Sequence, residues 1–316
     1  MKSRNSRAVL FAYSNVGVQG LAALLACNFD IALVVTHEDN PNENIWYNSV
    51  ADLARLNDIP VVTPNNANDR EIVELVSSLK PHWLFSFYYR HMLSNELLQI
   101  PTHGAFNLHG SLLPKFRGRA PTNWAVLKGE RETGASLHRM LIKPDAGPLV
   151  DQQAVPILPN DTAEQVFQKV TCAAEMILMR TLPKLLDGTA TEKPMDLMQG
   201  SYFGGRKPED GRIDWTQPTQ AIHNLIRAVA PPYPGAFFDA VDQTDASKHK
   251  RIVITKSYFR DLPAVGEGPR LYWQKGILWF DGCDGKRLRL LGLSLNGRQL
   301  DQHVFQRTFG SELVPT

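Results

Sequence analysis

The sequence has 316 residues, a length that exceeds the usual size of one domain and favours a large domain followed by a smaller one. Hydrophobic residues make up 43% of the chain and charged residues 21%, a balance that excludes a disordered or fibrous protein. The 34 Lys and Arg residues nearly cancel the 32 Asp and Glu residues, so the formal net charge of +2 argues against a protein built for broad nucleic-acid binding.

Predicted strands and helices alternate through the first part of the chain. Strands are expected at residues 9–13 and 31–35, with a helix over residues 16–27 between them. The alternation continues with helices at 50–56 and 69–79 and with strands at 61–62, 83–87, 104–108 and 134–140. This order predicts an α/β fold with a Rossmann-like, mostly parallel sheet that carries helices on both faces.

The pattern changes in the second part of the chain. A long amphipathic helix is expected over residues 162–186. Gly188, just beyond it, can adopt the left-handed backbone conformation that ends a helix. After it, a helix at 217–229 precedes short β-like runs at 251–258, 270–274, 277–280 and 287–293. We therefore expect a catalytic domain over residues 1–205 and a smaller β-rich, OB-like barrel domain over residues 206–316.

Cysteine content and hydropathy indicate the cellular compartment. Cys27, Cys172 and Cys283 are few, odd in number and widely spaced, which fits neither a disulfide framework nor a zinc site. The apolar stretch at residues 8–13 is short for a signal peptide, and no segment approaches the length of a membrane span. The expectation is a cytoplasmic protein with no membrane span and no bound metal.

The stretch at residues 105–121 carries the most informative side chains. No P-loop, zinc-protease or nucleophile-elbow motif occurs anywhere in the sequence. Asn107 and His109 are two residues apart on a predicted strand, so both point to the same side at the carboxyl edge, where ligands of α/β sheets bind. Asp145 follows the next strand in the turn at 143–147, where an ordinary turn aspartate would also fit. Each residue alone is a weak signal, and their combination predicts a chemical site.

These residues also carry a family resemblance. The run from Asn107 to Pro114, with the later Asp145-Ala146-Gly147, resembles the folate-dependent formyltransferases, whose acceptors include methionyl-tRNA, glycinamide ribonucleotide and sugar nucleotides. Within that family the chain is most similar to the UDP-4-amino-4-deoxy-L-arabinose formyltransferases, which form half of a bifunctional polymyxin-resistance enzyme. The segments that carry this closer match are 36–41, 85–91, 137–140, 227–230 and 234–237.

The resemblance implies a role for each of the three side chains. His109 would be the acid–base group, Asn107 would stabilise the transition state, and Asp145 would keep the imidazole basic. Elementary chemistry agrees, because an amide donor matches the oxyanion that forms when an amine attacks a formyl group. A histidine suits proton transfer near neutral pH, and a nearby carboxylate raises its pKa. The formyl donor implied is 10-formyltetrahydrofolate, bound as a co-substrate.

The family's ligand pockets map onto further positions of this sequence. The folate contacts implied are the backbone of His91, Met92 and Leu93 and the loop of Leu141, Ile142, Lys143, Pro144 and Asp145, together with Arg119. For Arg119, a solvated position in a basic cluster with Lys115 and Arg117 stays open. The candidates for the pyrophosphate of the acceptor are Arg117, Arg206 and Lys207. For Arg206 and Lys207 a surface position is the favoured alternative.

The segment at residues 37–44 helps to predict which acceptor the enzyme uses. Methionyl-tRNA formyltransferases carry a lysine-rich insertion in this region, whereas here the segment is short and acidic and would repel RNA phosphates. We therefore expect a UDP-amino sugar and no nucleic acid. Formylation of methionyl-tRNA, hydrolysis of the formyl donor and a non-catalytic folate or nucleotide module are the alternatives. The chain ends at Thr316, so the decarboxylase of the fused enzyme is expected as a separate polypeptide.

Overall fold

The computed structural model of the protein describes residues 6–41, 43–242 and 245–315. Asn42 of the acidic segment and Thr316 lie outside these described residues. The chain divides into two compact units. The first contains the described residues up to Pro121 together with Glu132–Val155 and Phe167–Gly204. The second contains Thr122–Arg131, Pro156–Val166 and the described residues from Gly205 onward.

The secondary structure follows the predicted order. The helices are α1 (Ser14–Ala26), α2 (Val50–Leu56), α3 (Arg70–Ser78), α4 (Asn95–Gln99), α5 (Pro121–Leu127), α6 (Ala163–Leu186), α7 (Thr219–Ala228) and α8 (Gln302–Phe309). The strands are β1 (Arg7–Ala12), β2 (Asp30–Val35), β3 (Val61–Val62), β4 (Trp83–Phe87), β5 (Gly104–His109), β6 (Arg117–Gly118), β7 (Glu132–Arg139), β8 (Leu149–Pro156), β9 (Tyr202–Phe203), β10 (Ala236–Asp242), β11 (Asp245–Pro263), β12 (Arg270–Gln274), β13 (Ile277–Asp281), β14 (Lys286–Leu295), β15 (Arg298–Gln299) and β16 (Glu312–Leu313).

The first unit is built on a Rossmann-like sheet. Among the described residues this sheet has seven strands in the order β3-β2-β1-β4-β5-β7-β8. The strands from β3 to β5 in this order pair in parallel, and β7 runs antiparallel to β5. Every residue of β4 is buried, as expected for a strand that is covered on both faces. The predicted α/β fold is confirmed.

One face of this sheet packs against α3 and α4. The cluster joins alternate residues of β1 and β2 with residues of these helices: Val9, Phe11, Leu33, Val35, Val73, Val76, Leu97 and Leu98. Each fully buried side chain of this kind contributes roughly 1.5–3 kcal/mol relative to exposure. Because the core fixes the sheet, the loops that follow β4 and β5 begin from rigid strand ends.

The second unit contains the antiparallel sheet that the β-like runs predicted. Its strand order is β10-β11-β14-β13-β12-β16, with β15 paired to β14, and the sheet curls into a half-barrel. Its inward residues pack with α7 and α8, as shown by Phe238, Ile252, Phe280, Ile226 and Phe305. A smaller β-rich fold in this part of the chain is therefore confirmed. In the part of the chain that the structure describes, no helix combines the length and hydropathy needed to cross a membrane.

Candidate active site

The imidazole of His109 lies at the end of β5 and is buried. Its Nε2 atom is 2.8 Å from the carbonyl oxygen of Phe116, which can only accept a hydrogen bond. Nε2 therefore carries the ring hydrogen, and in the neutral ring Nδ1 keeps its lone pair. Nδ1 lies 3.6 Å from Oδ1 of Asp145. The basic nitrogen of this histidine thus faces a carboxylate.

Burial is the largest influence on the pKa of His109 and lowers it, because the charged ring loses solvation. The charge of Asp145 and the hydrogen bond to Phe116 raise the pKa, and the nearby His138 lowers it. The net pKa lies below its ordinary value. Asp145 therefore acts in the expected direction, but burial outweighs it. The ring is neutral at neutral pH and can accept a proton at Nδ1.

Three side-chain nitrogens meet at one oxygen of Asp145. Oδ1 lies 3.4 Å from Nδ2 of Asn107, 3.5 Å from Nε2 of His138 and 3.6 Å from Nδ1 of His109. Oδ2 accepts the backbone N–H of Gly118 at 2.9 Å. Burial acts to raise the pKa of Asp145, but the two histidines and the Gly118 N–H together hold this pKa well below its usual range. The carboxylate is therefore ionised at neutral pH.

The amide of Asn107 is oriented by His138, which lies opposite it in the paired strands β5 and β7. His138 Nδ1 is 2.9 Å from the carbonyl oxygen of Arg139 and donates to it, so Nε2 is an acceptor in the neutral ring. Asn107 Nδ2 donates to this Nε2 atom at 3.1 Å. The sequence prediction named Asn107 and missed His138. The missing signal was the antiparallel register of β5 and β7, which places the two residues side by side.

Several residues around these side chains have left-handed backbone angles. The φ angles of Tyr88, Phe116, Ala120 and Asp145 are 58°, 56°, 51° and 49°. Such conformations cost non-glycine residues of order 1–3 kcal/mol and cluster at functional sites in other proteins. For Asp145 the cost is offset by the hydrogen bond to Gly118, which holds the carboxylate in place. This backbone strain favours the interpretation that these residues form a ligand-binding site and do not serve packing alone.

Asn107, His109, His138 and Asp145 line a cavity of about 710 Å³. This volume lies within the range of small-molecule binding sites. The expected folate residues that line it are His91, Met92, Arg119, Leu141, Pro144 and Asp145. The side chain of Leu93 is buried in the core, while Ile142 and Lys143 line a second cavity of about 670 Å³ that shares Met140 and Leu141 with the first. The described residues contain no group of three or more His, Cys, Asp or Glu side chains placed to hold a metal ion.

The basic candidates differ in their surroundings. Arg119 lines the cavity, and its guanidinium donates to the carbonyl oxygen of Arg90 at 3.3 Å. Arg117 is half-buried in β6, and within the described residues its Nε atom has no hydrogen-bond partner. Both stay candidates for an anionic ligand.

Arg206 and Lys207 belong to the second unit. The side chain of Arg206 is only 10% exposed, which corrects the surface position favoured for it from sequence. Its guanidinium donates to Oδ1 of Asn123 at 2.9 Å and lies 5.2 Å from the centre of the Trp124 ring. Burial lowers the pKa of Arg206. Lys207 is exposed, as expected.

The acidic segment at residues 37–44 is partly neutralised. Glu43 accepts two hydrogen bonds from the guanidinium of Arg90, at 2.9 and 2.8 Å. Asp39 accepts the hydroxyl of Tyr13 at 2.7 Å. Because Arg90 itself lines the cavity, the segment is tied to the cavity wall by an ion pair. Sequence reasoning used the charge of this segment and did not identify the arginine that pairs with it.

Family models cover most of the chain. The family described as formyl transferase matches residues 9–182, and its companion, the formyl transferase C-terminal domain, matches residues 206–308. The chain belongs to the formyl transferase family. It is an enzyme, a formyltransferase, as the sequence predicted.

Solved structures with the same fold include sugar N-formyltransferases. An N-formyltransferase from Helicobacter canadensis, in complex with folinic acid and dTDP-3-aminofucose, matches with a TM-score of 0.72 and 21% identity over 93% of this chain and 99% of that one. WlaRD, a sugar 3N-formyltransferase with dTDP and 5-N-formyl-THF, matches with a TM-score of 0.70 and 20% identity over 95% and 99%. A sugar N-formyltransferase from Shewanella sp. FDAARGOS_354 matches with a TM-score of 0.61 and 18% identity over 80% and 99%.

Proposed function

We propose that the enzyme transfers the formyl group of 10-formyltetrahydrofolate to the amino group of a sugar nucleotide. The observation that carries the proposal is the convergence of Asn107, His109 and Asp145 at one point of a ligand-sized cavity. The folate compounds and amino-sugar nucleotide bound by the similar structures support both substrate classes. The acceptor we propose is UDP-4-amino-4-deoxy-L-arabinose, formylated at its 4-amino group on the route to modified lipid A and polymyxin resistance.

The proposed reaction begins when the amine of the acceptor attacks the formyl carbon. A bond forms between the amine nitrogen and this carbon, and the carbonyl oxygen takes up negative charge. The amide of Asn107 stabilises that charge, as a fixed donor does in an oxyanion hole. His109 takes the amine proton at Nδ1, and the ionised Asp145 stabilises the resulting imidazolium 3.6 Å away. The bond to N10 of the folate then breaks, and the proton passes to N10.

We assign the donor to the part of the cavity lining that contains His91, Met92, Leu141 and Pro144. Met92 and Leu141 are exposed apolar side chains, which suit the aromatic rings of a folate. Leu93, through its backbone, and Ile142 and Lys143, which line the neighbouring cavity, belong to the same two segments and stay candidates for the folate.

The acceptor brings a pyrophosphate that needs cations. The candidates are Arg117, Arg206 and Lys207; Arg119, which the resemblance assigns to the folate, lines the cavity and can equally meet the pyrophosphate. In this proposal residues 1–205 carry the folate site and the chemistry, and residues 206–316 form a substrate-associated domain. The three cysteines are free, which fits a cytoplasmic enzyme.

Alternative acceptors can be separated in one assay. The enzyme is incubated with 10-formyltetrahydrofolate alone, with UDP-4-amino-4-deoxy-L-arabinose, with a dTDP-amino sugar or with methionyl-tRNA, and tetrahydrofolate, formate and formylated product are measured. We expect a formylated UDP-sugar and little formate. Formate without acceptor would favour a hydrolase, and product only with methionyl-tRNA would favour the tRNA enzyme. No turnover with any acceptor, together with folate binding, would indicate a non-catalytic module. A His109→Ala variant is the inactive control.

A further inference from the structure

Tyr202 is an aromatic side chain on the wall of the active-site cavity that the proposed chemistry does not use. It is 57% exposed, whereas the ring of the next residue, Phe203, stacks on Phe116 with a centroid distance of 5.3 Å. Successive side chains of a strand point to opposite faces, so Phe203 anchors β9 and leaves Tyr202 on the other face. The position of Tyr202 is therefore fixed without its ring being part of a core.

The ring of Tyr202 lies directly over Gly118. A Cβ atom at Gly118 would lie 3.1 Å from Cζ and 3.2 Å from Cε2 of Tyr202. The backbone N–H of Gly118 in turn binds Oδ2 of Asp145 at 2.9 Å. One glycine thus separates an exposed aromatic ring from the carboxylate of the reaction centre, and a ligand at that centre is within reach of the ring.

Besides Asn107, His109 and Asp145, two groups of residues line the cavity. The first group consists of residues 89–92 with 140, 141 and 144, and the second of residues 118–121 with Tyr202. The proposed function assigns the first group to the folate. The second group is then left for the acceptor, whose amine must reach Nδ1 of His109.

We propose that Tyr202 is the platform of the acceptor subsite and packs its ring against the apolar face of the amino-sugar pyranose ring. This inference rests on the proposed function and deepens it, because it names the residue that selects a sugar. The C–H groups of a pyranose face meet the negative face of an aromatic ring favourably. Arg119 lines the same cavity, and its guanidinium can bind the phosphate that follows the sugar. An aromatic platform near a cation matches a sugar phosphate.

Steady-state kinetics with each substrate varied in turn test this assignment. Tyr202→Ala should raise the KM for the sugar nucleotide by roughly 2- to 10-fold, the effect of losing one aromatic contact, and should leave the KM for 10-formyltetrahydrofolate unchanged. Tyr202→Phe keeps the ring and should behave like the wild type. Met92→Ala, in the group of residues assigned to the folate, should show the reverse pattern and raise the KM for the folate alone.

Tyr258→Ala is the matched control, because Tyr258 is another exposed tyrosine, lies on β11, is not among the residues that line the cavity and should change neither KM. Circular dichroism and thermal unfolding confirm that each variant folds. If the wild type formylates no sugar nucleotide, the proposed function fails and this assignment fails with it. If the wild type is active but Tyr202→Ala leaves the acceptor KM unchanged, or raises both KM values equally, the assignment alone is overturned.

Discussion

His109 is subject to two opposing influences within one ring. Burial lowers its pKa, whereas Asp145 favours the charged form. In Asp145→Asn the second influence is lost, so the pKa of His109 falls further. Because the base must be neutral to act, the rise of kcat/KM with pH should begin at lower pH, while the maximal rate falls. A pH–rate profile of wild type and variant measures this shift, and an acidic limb that stays in place would contradict the pairing.

Asn107 contributes its amide to the oxyanion in the proposed reaction. Loss of one such donor costs about 100- to 1000-fold in turnover in comparable sites. We expect Asn107→Ala to lose kcat in that range while its unfolding transition stays close to that of the wild type. Single-turnover kinetics measure the effect on the chemical step. A loss confined to the KM for either substrate would assign Asn107 to binding instead.

The pairing of the two-residue strands β6 and β9 positions Gly118, whose N–H binds the carboxylate of Asp145. Gly118 has φ 95°, and a Cβ atom there would lie 2.2 Å from the carbonyl oxygen of Phe203. Gly118→Ala should therefore force β6 and β9 apart and withdraw the N–H that binds Asp145. A left-handed alanine by itself costs roughly 1–2 kcal/mol. We expect the loss of kcat/KM, expressed as a free energy, to be far larger than this cost.

Gly204→Ala is the control for this prediction, since a Cβ atom at Gly204 would meet no atom within 4 Å. Activity and the free energy of unfolding are measured for both variants. Equal losses in the two would show that the contact between β6 and β9 does not position the carboxylate.

These elements also show what the sequence could predict. Hydrophobic runs predicted β1, β2, β4 and β5 because a buried strand leaves a local pattern. Alternation along β5 placed Asn107 and His109 on one side, and both do contact Asp145. The pairing of β6 with β9, more than 80 residues apart in sequence, leaves no such pattern. His138 was missed for the same reason, because its role depends on the register between two strands.

For the whole molecule, buried histidines predict a loss of stability in acid. His223 lies between the hydroxyl of Ser257 and the carbonyl of Pro159, at 2.8 and 3.0 Å, and burial lowers its pKa to about 4. The unfolded histidine has a pKa of about 6.5, so between these values the unfolded chain binds more protons. The stability from His223 is complete above pH about 6.5 and is lost as the pH falls to about 4. His37 and His109 are shifted in the same direction.

Urea unfolding at several pH values between 7.5 and 4.5 measures this dependence. His223→Gln is the informative variant, because glutamine can donate to Pro159 and accept from Ser257 without a charged form. The free energy of unfolding should fall less steeply in acid for the variant, by up to about 3 kcal/mol over the range. If the free energy of unfolding falls equally with pH in both proteins, His223 does not cause the loss of stability in acid.

The shared oxygen of Asp145 has a consequence for the timing of the proposed reaction. Oδ1 accepts a hydrogen bond from Asn107 and lies 3.5 Å from Nε2 of His138 and 3.6 Å from Nδ1 of His109. In the proposed reaction Nδ1 of His109 takes the proton of the amine, becomes a donor and competes with the amide for this oxygen. The N–H of Asn107 is then released in the step in which the formyl oxygen becomes negative. On this proposal a single carboxylate atom synchronises deprotonation of the nucleophile with stabilisation of the tetrahedral intermediate.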